Sequence, residues 1–318
     1  MMQRREPQSA VFRYGTESLS LPVEVFVLLR DLIVRRTGVY FDDSKRGFLA
    51  DKLSEGVASL GMTSFLDYYY LLRYDTDAGQ HWSRLMDWLA VPETYFWRQP
   101  EQFEALARLV APAHYARHPG EPLRIWSAAC CSGEEPLSIA IALTEAGLGN
   151  HPWEIHASDG SPAMLQRARH GRYSERAFRQ LPIALRDRYF RACSDGTWQA
   201  DPGLTRNIRW TLANLANPVE IAPLASAHVI YCRNVFIYFS EDAIRSVVKV
   251  FSERMPETGI LFLGASEALT RLGVNFELAE IGSGFAYVKG GQRQRVEALN
   301  GSMPSQADAA ATGKARTA

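Results

Sequence analysis

The sequence is short of most features that would assign a chemistry at once. It has four cysteines, Cys130, Cys131, Cys193 and Cys232, and no CxxC pair among them. No zinc site is expected from that spacing, and the neighbouring Cys130 and Cys131 could not bridge without strain. A reducing, cytoplasmic setting follows, with Cys130 and Cys131 serving as small buried residues. Charge of either sign is not in excess: Lys plus Arg and Asp plus Glu each number 35. A sequence-independent nucleic-acid binder needs a basic excess or stripe, so no nucleic-acid partner is expected. No apolar run approaches the roughly 18–20 residues that span a bilayer, which argues against membrane insertion. The start, Met1-Met2-Gln3-Arg4-Arg5-Glu6-Pro7, is polar and leads into no apolar core, unlike a signal peptide. Internal repeats are absent, and so is an evident Ser-His-Asp or Cys-His set for nucleophilic catalysis. What remains is a globular chain of 318 residues, long enough for one large domain and a small one.

What is there centres on residues 124–143. Leu123 to Trp126 read as a buried strand. Ser127-Ala128-Ala129-Cys130-Cys131-Ser132-Gly133 follow, all small, and then Glu134, Glu135 and a helical apolar spacing through Leu137, Ile139, Ala140, Ile141 and Leu143. Strand, small-residue turn and helix outline the first βα unit of a nucleotide-type site, where small side chains let a cofactor touch the backbone. The acidic pair decides what kind. A phosphate beside two carboxylates would be repelled, so the turn suits a ribose hydroxyl or a sulfonium. The same outline also serves as a plain corner of an α/β core.

Residues 18–90 read as a small all-α domain. Apolar positions recur at three and four from Pro22 to Gly38, after the Asp42-Asp43-Ser44 caps to Gly61, from Ser64 through Leu72, and from Gln80 through Trp88. Residues 1–18 read as frayed. Residues 91–290 alternate strands and helices, which predicts a doubly wound, mostly parallel α/β sheet. Trp153–Ser158 ends at Asp159, an acid placed to accept from ribose hydroxyls or to cap the next helix. Within residues 172–210 an Asp195-Gly196 turn predicts a small antiparallel β insert, with strands near Thr197–Gln199 and Ile208–Thr211. His228–Cys232, Gly259–Gly264 and Phe285–Lys289 are further strands, and Ser240 caps the helix through Phe251. Residues 291–318 read as a disordered tail. Ligands on such sheets lie outside the carboxyl ends of the strands, which gathers Ser127–Glu135, Asp159, Asn214-Leu215 and Arg233-Asn234 around one crevice.

Four segments together resemble the chemotaxis receptor methyltransferases of the CheR family: Glu93-Thr94-Tyr95-Phe96-Trp97-Arg98; Trp126 through Pro136; Ser158-Asp159 with Gly171 through Arg176; and Cys232 through Phe239. Gly264-Ala265-Ser266-Glu267-Ala268 is a weaker fifth. The resemblance covers about residues 20–290. It implies a Rossmann-like S-adenosylmethionine-dependent methyltransferase sheet, with S-adenosylhomocysteine as product, that esterifies glutamates on the cytoplasmic domain of a chemoreceptor partner. By position it makes Thr94, Arg98, Glu134 or Glu135, Asp159, Asn214, Leu215, Arg233 and Asn234 cofactor contacts. Tyr238 would stand near the transferring methyl group, with Arg98 or Tyr238 orienting the acceptor. No metal is implied, and the chain reads as a monomer. Departures are Pro92 where the family usually has Asn, Ala129 and Cys131 for commoner Gly and Ser, and Leu137 for Tyr. The second helix is basic in the family, but here three positive charges, Lys45, Arg46 and Lys52, stand with Asp51 and Glu55.

Overall fold

The computed structural model describes residues 19–302; the frayed start expected over residues 1–18 lies outside them. Four helices come first: α1 (Val23–Thr37), α2 (Arg46–Ser59), α3 (Phe65–Tyr74) and α4 (Ala78–Leu89). Their ends follow local chemistry. Gly38 stops α1 in the left-handed region at φ 78°, its N–H closing on the Val34 carbonyl. Ser64 caps α3 by accepting the Asp67 N–H. Their apolar faces meet in one core of Phe26, Leu29, Ile33, Leu49, Leu53, Phe65, Tyr68 and Leu85. Gly56 lets α2 approach α4: a Cβ there would stand 2.4 Å from the Trp88 ring.

The larger unit is a seven-stranded sheet. Its strands are β1 (Leu123–Ala128), β2 (Trp153–Asp159), β6 (Ile208–Leu212), β7 (Val229–Cys232), β8 (Ile260–Phe262), β9 (Phe276–Ile281) and β10 (Gly284–Lys289), in the order β6-β2-β1-β7-β8-β10-β9. The first five in that order are parallel. Strand β10 runs antiparallel to both β8 and β9. Strand β9 was not expected from the sequence: Phe276, Ala279 and Ile281 are buried while Glu277, Leu278 and Glu280 are exposed, an irregular pattern of an edge strand with one wet face.

Double winding shows in which residues share a core. Ile125, Ile155, Val229, Tyr231 and Phe262 face one side, with the Glu134–Leu143 helix over them. Their strand neighbours Trp126, Ile230, Cys232 and Leu261 face the other, against Val247, Val248 and Phe251 of the Glu241–Arg254 helix. A strand buried on both faces is predominantly apolar, which is why β7 reads as an unbroken apolar run and β1 is interrupted only by Arg124 and Ser127. Ser240 caps the latter helix as expected, accepting the Ala243 N–H.

The insert is a three-stranded antiparallel sheet of β3 (Arg172–Ser174), β4 (Phe190–Ala192) and β5 (Thr197–Ala200) in the order β3-β5-β4. The Asp195-Gly196 turn joins β4 to β5. Ile208–Thr211, expected in the insert, instead pairs in parallel with β2 as the edge of the main sheet. Its spacing from a turn signal looked like a hairpin, but period alone cannot say which partner a strand takes. The expectation of disorder from residue 291 also fails in part. Arg293–Glu297 is helical, Val296 is buried, and the Asn300 side chain accepts the Gly282 N–H. Residues 303–318 lie outside the described part.

Candidate functional site

At the carboxyl ends of β1, β2, β6 and β7 lies a cavity of about 520 Å³, within the usual range for a small-molecule site. Thr94, Arg98, Glu135, Asp159, Asn214, Leu215, Arg233, Asn234 and Tyr238 all line it. Glu134 does not.

The floor is the turn after β1. Ala129 and Cys131 both adopt left-handed backbone, at φ 57° and 51°. This conformation is costly for residues with a Cβ. The Cys131 N–H donates to Asp159 Oδ2 at 2.9 Å, and the Ser161 N–H to Oδ1 at 2.8 Å. Asp159 therefore ties the turn after β1 to the turn after its own strand and lines the cavity, while the next helix is capped by Ser161 and not by Asp159. Burial raises its pKa, opposed by these two N–H donors. A further acid, Asp87 of α4, accepts from Ser161 Oγ and from the Ala163 N–H at 3.0 Å. Nothing in the local sequence marks Asp87, because its partners lie more than 70 positions away.

The two glutamates separate. Glu135 accepts from Ser127 Oγ at 2.6 Å and sits 3.2 Å from Arg233 Nε. The contact is an ion pair only, since the Nε–H is not aimed at the carboxylate. The remaining Arg233 nitrogens donate to Gln102 Oε1 at 3.1 Å and to the Arg98 carbonyl at 2.6 Å. Burial pushes the Glu135 carboxyl up, and the Arg233 charge draws it back. Glu134 turns instead toward the insert, accepting from Ser132 Oγ at 2.8 Å; burial pushes it up to about 7.

The aromatic run divides likewise. Phe96 is core, with ring centroids 4.8 Å from Tyr173, 5.0 Å from Phe178 and 4.9 Å from Phe190. Trp97 packs on Phe103. Only Tyr95 faces the cavity, with the Arg98 guanidinium 5.3 Å from its ring centre. Pro92 is exposed and off the cavity, and Leu137 is fully buried core, so neither departure alters the lining.

The N-terminal helices close the other side. Thr37, Tyr40, Phe41, Lys45, Phe48 and Lys52 line the same cavity. The connection from α1 to α2 is tied to the turn after β7: the Tyr40 N–H donates to the Tyr238 carbonyl at 2.8 Å, and the Ser240 N–H to the Gly38 carbonyl at 3.0 Å. Asn214 Nδ2 donates to the Arg36 carbonyl at 2.6 Å. Lys45 pairs with Asp42, and Lys52 lies half-buried, its ammonium 3.3 Å from the Ala90 carbonyl. Burial lowers the Lys52 pKa.

The donor set fits S-adenosylmethionine. A half-buried carboxylate at the end of β2 suits a ribose diol, and Glu135 after the turn disfavours phosphate and suits a cationic head. Comparison with known proteins agrees. Residues 24–89 match the all-alpha domain of CheR methyltransferases, and residues 92–285 match their SAM-binding domain. Chemotaxis protein methyltransferase 2 of Vibrio cholerae is 35% identical over 87% of this chain and 96% of its own length. The chemotaxis protein methyltransferase of Escherichia coli K12 is 33% identical over 85% and 93%. A probable biofilm formation methyltransferase, WspC of Pseudomonas aeruginosa, is 35% identical over 60% of this chain and 48% of its own.

Proposed function

The chain belongs to the CheR methyltransferase family and uses S-adenosylmethionine, and on that premise we propose that it methylates glutamate carboxylates on the cytoplasmic helices of chemoreceptors. The observation that carries this reading is the make-up of the cavity. Among the described residues no histidine lines it, and its carboxylates are already engaged. Asp159 holds two N–H groups, Glu135 is tied to Ser127 and Arg233, and Glu93 pairs with Arg179 at 2.9 Å. An amine or hydroxyl acceptor would need a free base to take its proton. A glutamate, of reference pKa about 4.3, arrives ionised and needs none.

When bound, S-adenosylmethionine supplies a methyl group already activated on a sulfonium. The protein's share is alignment and exclusion of water. Arg98, Lys45 just before α2 and Lys52 on α2 give the cavity its positive charge, suited to an incoming carboxylate. Arg98 Nη1 donates to the Glu93 carbonyl at 3.0 Å, which braces the guanidinium without neutralising it. Burial raises the Tyr238 phenol, so it stays protonated and able to donate to an acceptor oxygen. Bound there, the cofactor would supply its methyl group to a carboxylate oxygen, and no residue of the protein would need to take or give a proton. In these terms the site residues divide into a cofactor side (Thr94, Glu135, Asp159, Asn214, Leu215, Arg233, Asn234) and an acceptor side (Arg98, Tyr238).

Transfer of labelled methyl to a purified receptor cytoplasmic fragment tests the reading, with base treatment to release esters as methanol. Base-labile label on the fragment is expected. Base-stable label, or no transfer to any receptor while cofactor is bound, would sink it. Full turnover by both Arg98→Ala and Tyr238→Phe at saturating cofactor would remove their orienting role.

A further inference from the structure

Glu267 lies outside the cavity lining, in the loop after β8, yet it is buried at 9% exposure. Its carboxylate receives four main-chain N–H groups. Oε1 accepts from Val235 at 2.9 Å and Phe236 at 2.8 Å, while Oε2 accepts from Asn234 and Gly264, each at 2.7 Å. No cation is paired with it among the described residues, and its oxygens are held by these four N–H groups.

Three of the four donors belong to the turn after β7, and that turn is not one a sequence would adopt unaided. Asn234 sits at φ 58° with a side chain in place, and Phe236–Tyr238 form a single tight 3-10 turn. Backbone in this state persists only where its surroundings over-determine it. The same turn delivers Asn234 and Tyr238 to the cavity. Gly264 completes the arrangement. A Cβ there would meet Asn234 Nδ2 at 2.7 Å and Glu267 Oε2 at 2.8 Å, so only glycine lets strands β7 and β8 share one carboxylate.

We infer that Glu267 is a positioning residue for cofactor binding: its carboxylate fixes the Asn234–Tyr238 turn in the geometry that faces the cofactor. The inference rests on the cofactor-side assignment of Asn234 above and is independent of which acceptor is methylated.

Glu267→Gln keeps the shape but turns an NH2 against two N–H donors. S-adenosylhomocysteine affinity by calorimetry is expected to fall at least tenfold, and Gly264→Ala to produce a loss of the same order. Ile281→Ala, a buried change on β9 far from the cavity, controls for lost stability. It should lower the melting temperature while leaving affinity within twofold of wild type. Asn234→Ala reports on the assignment itself. If Asn234→Ala weakens binding and Glu267→Gln does not, the positioning role alone is overturned. If neither weakens binding, the assignment falls with it. If Ile281→Ala, at a matched loss of melting temperature, weakens binding as much as Glu267→Gln does, the affinity loss only follows stability, Glu267 is ordinary structure and the inference is wrong.

Discussion

Replacing Glu134 by Gln separates the two neighbouring glutamates and exposes the cost of burying one. Glu134 is 4% exposed, lies in no ion pair among the described residues, and has the Ser132 hydroxyl as its side-chain donor. Burial raises its carboxyl from 4.5 to about 7. At about 1.4 kcal/mol per pH unit, keeping it ionised costs the fold on the order of 3 kcal/mol. The folded pKa lies above the unfolded one, so the native state holds the proton more tightly. The stability this gives is fully present below about pH 4.5 and is lost as pH rises through about 7. Glu134→Gln removes the titration and introduces an amide that keeps one hydrogen bond. The variant should therefore gain roughly 1–3 kcal/mol over wild type at pH 8, with the difference vanishing near pH 4.5. Urea denaturation at pH 5, 6, 7 and 8 measures this directly. Because Glu134 faces the insert, affinity for S-adenosylhomocysteine should be unchanged. A variant less stable than wild type at pH 8, or parallel pH profiles for the two proteins, would refute the burial argument. Lost cofactor affinity would return Glu134 to the binding site.

Two further substitutions probe the floor of the cavity. Asp159→Ala removes the acceptor of two N–H bonds and the proposed ribose contact; S-adenosylhomocysteine affinity should fall about 100-fold by calorimetry, roughly 3 kcal/mol. An unchanged dissociation constant would place the ribose elsewhere. Ala129→Gly restores the residue common in the family at a position with φ 57°. Relief of left-handed strain should outweigh the added chain entropy, stabilising the protein by about 0.5 kcal/mol in urea denaturation; a net loss would mean the turn is not strained.

The parts of this protein that were legible in sequence are those where one periodicity or one residue type leaves a single physical option. The apolar spacing of α1 to α4, the unbroken run of β7, the Ser240 cap and the small residues from Ser127 to Gly133 all follow from local rules, and motif order carried the resemblance. Partner choice over long separations was not legible. Ile208–Leu212 reads equally well as a hairpin arm or as a sheet edge, and β2 decided between them. Which of Glu134 and Glu135 faces the cavity depends on a rotation of about 100° around one helix, which the pair Glu-Glu does not encode.

Asp87 and Glu267 show the same limit at the site itself. Asp87 is one unmarked acid among 35 Asp and Glu residues, and Glu267 falls in the weakest of the five segments; what either holds appears only when the chain brings distant N–H groups to its oxygens. Sequence alone thus determined the layers and the small-residue crevice, because burial and steric access act on residue type, while the order of the motifs implied the cofactor class through the resemblance. The tertiary structure decided which carboxylates are spent on holding the backbone, because hydrogen bonds depend on distances of a few ångströms between residues far apart in the chain.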